Sequence, residues 1–186
     1  IRAGCRLWLH SAKAQPAKRA DHWDERIYAL VSADDYGARE ELLRASDTLF
    51  DEAGLRTLAG RFDADLTKAL AAKGETERTD YAMYQAAAAI GLIADALRDP
   101  DLSTQTTLRY SPTPNPMQKE QFAERYVRFG RAKDALTWLE GDWGYAEDRR
   151  LRLQADAYVA LGDQDRLCAV RQALFERTGT ADDFEA

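Results

Sequence analysis

The chain has 186 residues, 45% of them hydrophobic, and a formal net charge of −6 from 26 Lys+Arg against 32 Asp+Glu. That length and apolar content carry a real core and argue against disorder, and an acidic chain is a poor general binder of phosphate backbones. Two cysteines, Cys5 and Cys168, do not make a disulfide scaffold and are read as reduced, mostly buried thiols of a cytoplasmic protein. The first residue is Ile1, not Met, and no apolar stretch resembles a signal peptide, so a segment of a longer protein is expected.

Period-2 alternation of Val, Ile and Thr is missing, whereas apolar spacings of three and four recur throughout, so the fold class is all-α. The first helix is expected over Arg2 to Ala14, anchored by Leu7 and Trp8 and stopped before Pro16; Lys13, Lys18 and Arg19 sit around the loop that follows. Asp21 is expected to cap a second helix with Asp24 and Glu25 in its first turn and Ile27, Leu30 and Val31 inward, ending near Asp34. A third helix is expected from Gly37 to Phe50, with Leu42, Leu43, Leu49 and Phe50 inward. Leu55, Leu58, Ala59, Phe62, Leu66 and Leu70 mark a cleanly amphipathic fourth helix, which Gly74 stops; a polar loop then runs to Asp80.

The fifth helix, Tyr81 to Leu97, has only Gln85 and Asp95 as strongly polar residues after Ala82, and a helix apolar nearly all round is read as the central core helix. It is too short, too rich in Ala and too interrupted to span a membrane. Asp99 and Pro100 then read as N-cap and first residue of a short helix to about Arg109. Residues 110–116, YSPTPNP, are the only Pro-rich stretch and the best internal joint, dividing an N-terminal array (1–109) from the helices of 117–179. Asn115 and Pro116 start the next helix, and an acidic tail, 180–186, ends the sequence.

Residues 121–175 contain an echo. Tyr126 is followed four residues on by Gly130, and Tyr158 by Gly162, at one offset (158 − 126 = 32 and 162 − 130 = 32). Each Gly reads as the stop of a helix. The partner helices carry Ala132, Ala135, Leu136 and Leu139 in one case and Leu167, Val170 and Leu174 in the other. An isolated pair of this kind cannot bury its own apolar face, so such pairs stack.

With an aromatic late in one helix, a Gly four residues on and a small residue early in the next, Tyr126, Gly130 and Ala135 resemble the tetratricopeptide repeat, as do Tyr158 and Gly162, although Leu167 stands where the small residue belongs. The resemblance covers roughly a third of the chain at a spacing shorter than that family's usual one. More loosely, the whole chain is similar to an uncharacterised bacterial family of helical-repeat proteins that resemble the C-terminal regions of SWIM-type zinc-finger proteins, but it has no zinc-finger cysteine pair. The implied fold is a short α-solenoid of about 9–10 antiparallel helices, with an irregular helical bundle as the alternative. The resemblance also implies that residues flanking the tyrosines face a groove. Those residues are Glu124, Val127 and Arg128 in the first pair and Arg149, Arg152, Asp156 and Val159 in the second.

Little in the sequence carries chemistry. Cys5, His10, His22 and Cys168 formally make a zinc-like set, but Cys5 and His10 diverge on one helix and neither CxxC nor HxxxH occurs. The pairs Asp63/Asp65, Asp99/Asp101 and Asp163/Asp165 are explained by capping or a solvated face. No phosphate loop or nucleophile elbow is present, so neither enzyme activity nor a cofactor is expected. The expected function is non-catalytic binding of a protein or acidic peptide, with Arg128, Arg149 and Arg152 as a clamp or else a solvated, salt-bridged face, Glu124 and Asp156 beside them, and Trp143 as a loop anchor or else packed over the repeat junction. The alternatives are a structural or self-associating domain and, less favoured, a nucleic-acid accessory domain; no membrane partner is expected.

Overall fold

The computed structural model describes residues 2–15, 22–34, 36–74 and 77–179, and these are helices joined by turns, with no strand among them. The chain divides into two compact units, Ile1–Tyr110 and Ser111–Ala186. The expected Pro16 stop, the loop residues Lys18 and Arg19, the Asp21 cap and the acidic tail lie outside the described residues.

The first unit is built on α4 (Glu52–Ala71) and α5 (Glu77–Leu97), which pack against each other along their length. Asp51 is extended and its carboxylate accepts from the Gly54 amide at 2.9 Å, a side-chain cap that starts α4 cleanly. Leu55, Leu58, Ala59, Phe62 and Leu66 are all buried, as the spacing of three and four predicts. Each fully buried Leu of this set contributes about 1.5–3 kcal/mol. α6 (Pro100–Tyr110) packs on α5, with Asp99 accepting from Leu102 N at 3.1 Å.

α1 (Arg2–Lys13) and α2 (Trp23–Ser32) lie on the outside of this hairpin, α2 against α4. Leu7 is 69% exposed, so it does not anchor α1; Leu9 and Ala12 are buried instead, with Trp8 half-buried against Trp23 in an edge-to-face pair at 5.4 Å. Two residues along a helix rotate a side chain by about 200°, so Leu7 and Leu9 face opposite ways. α2 starts after His22, whose backbone is left-handed (φ 78°) and whose side chain makes no cap.

The expected third helix from Gly37 to Phe50 is cut to a single turn, α3 (Glu41–Arg44), followed by a 3₁₀ turn at Ser46–Thr48. Gly37 at φ +67° cannot continue a right-handed helix, and the Asp34 carboxylate takes the amides of Tyr36 and Arg39 into a loop. Leu42 and Leu43 are still buried. Glu41 is buried too, with Arg6 Nε donating to its Oε1 at 2.6 Å, so α1 supplies the cation for the one buried carboxylate of α3.

α5 departs from the sequence reading in a way that matters for function. It begins four residues early, at Glu77, and only its second half is buried all round: Ile90, Leu92, Ile93 and Ala94. In the first half Met83, Ala86 and Ala87 face the core, while Tyr81, Ala82, Tyr84, Gln85 and Ala88 are exposed.

The second unit consists of α7 (Pro116–Arg128), α8 (Ala132–Trp138), α9 (Glu147–Leu161) and α10 (Gln164–Thr178). Asn115 and Gln118 form a reciprocal capping box, each side chain accepting the other's backbone amide at 3.0 Å, with Pro116 as the first helical residue. The Tyr–Gly echo is a repeated chain closure. Arg131 N donates to Tyr126 O at 2.8 Å and Gly130 N to Val127 O at 3.0 Å; Asp163 N donates to Tyr158 O and Gly162 N to Val159 O, each at 3.1 Å. Both glycines are left-handed, and both closures are the same paired C-terminal motif. The short turns fold α8 back on α7 and α10 back on α9, and α9 also packs on α7 and α8. Phe122, Ala123, Tyr126, Ala135, Leu139, Leu151 and Ala157 fill the interior, and Phe122 meets Trp138 edge to face at 4.9 Å.

Candidate functional site

In the second unit Glu124 and Arg128 are exposed on α7, and Arg149, Arg152 and Asp156 are exposed on the neighbouring α9. Arg149 Nη1 donates to Glu120 Oε2 at 3.1 Å. Glu120 and Arg128 are eight residues apart on α7, about 12 Å of helical rise, so Arg149 is anchored about two turns along α7 from Arg128. Arg128 lies 5.9 Å from the Phe129 ring centroid, and both Arg128 and Arg152 are engaged within the protein. Asp156, although exposed as a residue, has its carboxyl pushed up from its ordinary value by partial burial, with no cation offsetting the shift.

Of the two readings of Trp143, a loop anchor and a residue packed over the repeat junction, the loop anchor is corrected. Trp143 is 3% exposed, with its backbone amide donating to Glu147 Oε2 at 3.3 Å, so it packs inside the unit and cannot anchor a partner. Cys168 is also corrected: it is exposed, and Cys5 is only half-buried. One position beyond the buried Leu167 on a helix points about 100° away from the core.

The aspartate pairs separate as capping and helix geometry require. Asp63 pairs with Arg109 while Asp65 accepts from Tyr28, and Asp99 and Asp163 cap α6 and α10. Among the described residues no group of three His, Cys, Asp or Glu side chains is placed to hold a metal ion. No helix of the described residues is long and apolar enough to cross a membrane.

A recess absent from the sequence reading lies in the first unit. A groove of about 760 Å³ runs between α4, α5 and the α2–α3 loop, within the roughly 300–1,000 Å³ of typical ligand sites. Its floor is Leu43, Phe62, Ala69, Ala86, Ala89 and Leu92, all buried core residues seen from their outer side. Ala82, Gln85 and Ala88 form the exposed α5 wall, and Asp65 and Lys68 the α4 wall. The third wall is the loop carrying Asp34, Tyr36, Gly37 and Glu40.

Each wall is held from behind. Tyr28 donates to Asp65 Oδ2 at 2.6 Å, joining α2 to α4. Arg39 Nη1 donates to Leu30 O at 2.8 Å, and Arg44 pairs with Glu40 at 2.9 Å, so the loop that interrupted the third helix is fixed to the elements around it. Gln85 Nε2 donates to the Tyr81 hydroxyl at 2.9 Å, one turn apart on α5. Tyr36 is 95% exposed and Tyr81 50%, at the groove's mouth. The signal for this groove in the sequence was the interruption at Asp34–Gly37 beside an Ala-rich helix, but Ala suits a core and a wall equally well.

A second recess, about 530 Å³, lies beside Trp8, Trp23 and Arg26; Gln15 and His22 on its lining flank the undescribed residues 16–21, and no role is assigned to it.

No protein-family model matches the chain, and no match was found among curated proteins or solved structures. The fold and the groove therefore define the molecule's class by themselves: an all-α protein of two helical units, with an open apolar groove in the first.

Proposed function

We propose that this chain is a non-catalytic helical module that binds a polypeptide segment, that the α4–α5 groove of the first unit is the seat, and that it works in the bacterial cytoplasm. The observation that supports the reading is the outward half-turn of α5. An Ala-rich helix otherwise committed to the core leaves Ala82, Gln85 and Ala88 open to solvent beside two exposed tyrosines. Small side chains let a partner backbone approach closely, and aromatics at a rim supply contact area at low entropic cost. The resemblance of the second unit to tetratricopeptide repeats supports the same class of function, with its α7–α9 face as a second surface rather than a single clamp.

The test is a display selection of random segments of about 16 residues on the purified chain, followed by binding to Ala82→Trp and Ala88→Trp. Both substitutions sit on exposed positions and fill the groove without touching the core. Selected segments should lose most of their affinity for both variants while the variants melt like the parent. Segments that bind the filled variants undiminished would overturn the assignment.

A self-associating role is the second reading, favoured by Val159, Leu161 and Phe175, which α9 and α10 leave exposed. Light scattering over a range of concentrations tests it; a concentration-independent monomer removes it.

A further inference from the structure

The lining of the groove is uneven in charge. Three carboxylates, Asp34, Glu40 and Asp65, face it against one ammonium, Lys68, a balance of 1 − 3 = −2. The pairings on the page deepen the asymmetry. Asp34 is held by the backbone amides of Tyr36 and Arg39, which satisfy its oxygens without cancelling its charge. Asp65 accepts from the neutral Tyr28 hydroxyl, and the rise in the Tyr28 pKa, caused first by that hydrogen bond, reports the same anion. Of the three, only Glu40 has a guanidinium on it, from Arg44. Two anions without a paired cation among the described residues therefore line the groove, Asp34 on the loop and Asp65 on α4, together with the apolar Ala86, Ala89 and Leu92 of α5.

Apolar floor, small-residue walls and a lining with two unpaired anions form the complement of one kind of segment. We propose that the occupant of the groove is a basic amphipathic helix, laid with its apolar stripe on Ala86, Ala89 and Leu92 and with Lys or Arg flanks reaching Asp34 and Asp65. This rests on the reading of the groove as a polypeptide site. A helix presents an apolar stripe with cations on both flanks, spaced by three and four residues, which an extended strand cannot. Alanine at the end of α4 (Ala69, with Ala72 just past its last residue) and on α5 (Ala82, Ala86, Ala89) permits the backbone approach that such docking needs. The tyrosines at the mouth, Tyr36 and Tyr81, lie where aromatic faces can meet the flanking cations. The same charge balance turns away acidic segments, so specificity arises here more from rejection than from added contacts.

The experiment uses three synthetic peptides of about 16 residues that share one apolar stripe: a helix with Lys flanks, the same helix with Glu flanks, and the Lys composition interrupted by two prolines. Binding to the full chain is read by fluorescence anisotropy at about 50 mM and about 300 mM salt. The Lys helix should bind at least tenfold tighter than the Glu helix at low salt, lose several-fold at high salt, and fail to bind Ala88→Trp. Asp65→Asn, which keeps an acceptor for Tyr28, and Asp34→Asn, which keeps an acceptor for the loop amides, should each weaken it several-fold. Equal or tighter binding of the Glu helix, still blocked by Ala88→Trp, would overturn the basic partner while leaving the groove as a peptide site. Equal binding of the proline-interrupted peptide would overturn the helical occupant. Undiminished binding to Ala88→Trp would place the contact elsewhere and overturn the inference. Absence of binding by all three peptides would overturn it as well, and the display selection then judges the groove separately.

Discussion

The Tyr28 hydroxyl donates to Asp65 Oδ2 at 2.6 Å, so one side chain of α2 fixes the carboxylate that stands on the α4 wall of the groove. The anion holds the phenol in its protonated form and, together with burial, raises the Tyr28 pKa above its ordinary 10. A raised folded-state pKa contributes stability that is complete below about pH 10 and is lost as pH rises through the raised value. Tyr28→Phe should cost about 1 kcal/mol at neutral pH, and the gap from the parent should close on the alkaline side. Urea titrations between about pH 8 and pH 11 measure it; a gap that stays constant across that range would mean the hydroxyl contributes nothing through its proton.

In the second unit the sign is reversed. The Arg150 guanidinium, with Nε donating to Glu147 Oε2 at 2.8 Å, holds the Glu147 carboxyl below its ordinary 4.5. That stability is complete above about pH 4.5 and is lost as pH falls through the lowered value. Glu147→Gln should lose about 1 kcal/mol at pH 7 and show a flatter acid limb in thermal melts from pH 7 downward. Arg150 also donates to Leu139 O at 3.1 Å, so Arg150→Met should cost more than the glutamate change.

Two faces of one helix should answer mutation differently. Ile93 is fully buried, and Ile93→Ala should cost about 2–5 kcal/mol in chemical denaturation. Ala88 lies on the exposed groove wall of the same helix, and Ala88→Leu should change stability by no more than about 0.5 kcal/mol. A large loss at Ala88 would mean that the wall is packed in solution.

Glycine substitutions separate helix interior from helix end. Gly60, exposed within α4, has nothing within 4 Å of a built Cβ, so Gly60→Ala should stabilise by about 0.4–1 kcal/mol. Gly162 also has open space, but its φ of +68° closes α9, and Gly162→Ala should cost about 1 kcal/mol. Melting temperatures of the two variants should move in opposite directions.

Sequence alone determined what short-range chemistry determines. The absence of alternation gave an all-α chain; Asp99, Asn115 and Asp163 are side-chain caps because their oxygens reach amides three residues on. The Tyr–Gly echo became two like chain closures because a left-handed glycine and the preceding turn settle that geometry locally. The spacing of α4 named its buried face because a straight helix carries one phase along its length. Tertiary structure alone decided which apolar residues are covered. Leu7, Leu9, Trp143 and Cys168 all suit a core, and only the neighbouring elements decide that Leu9 and Trp143 are buried while Leu7 and Cys168 are not. The same holds for α5, where an Ala-rich face is core beside Ile93 and an open wall at Ala82 and Ala88, because alanine gains too little from burial to require a cover. The place of Arg149 against α7 is likewise decided by its pairing with Glu120, 29 residues away in the chain. The third wall of the groove is a loop because Gly37 is left-handed and the Asp34 carboxylate takes the amides of Tyr36 and Arg39, but that this loop stands beside α4 and α5 is decided by packing, which no local spacing encodes.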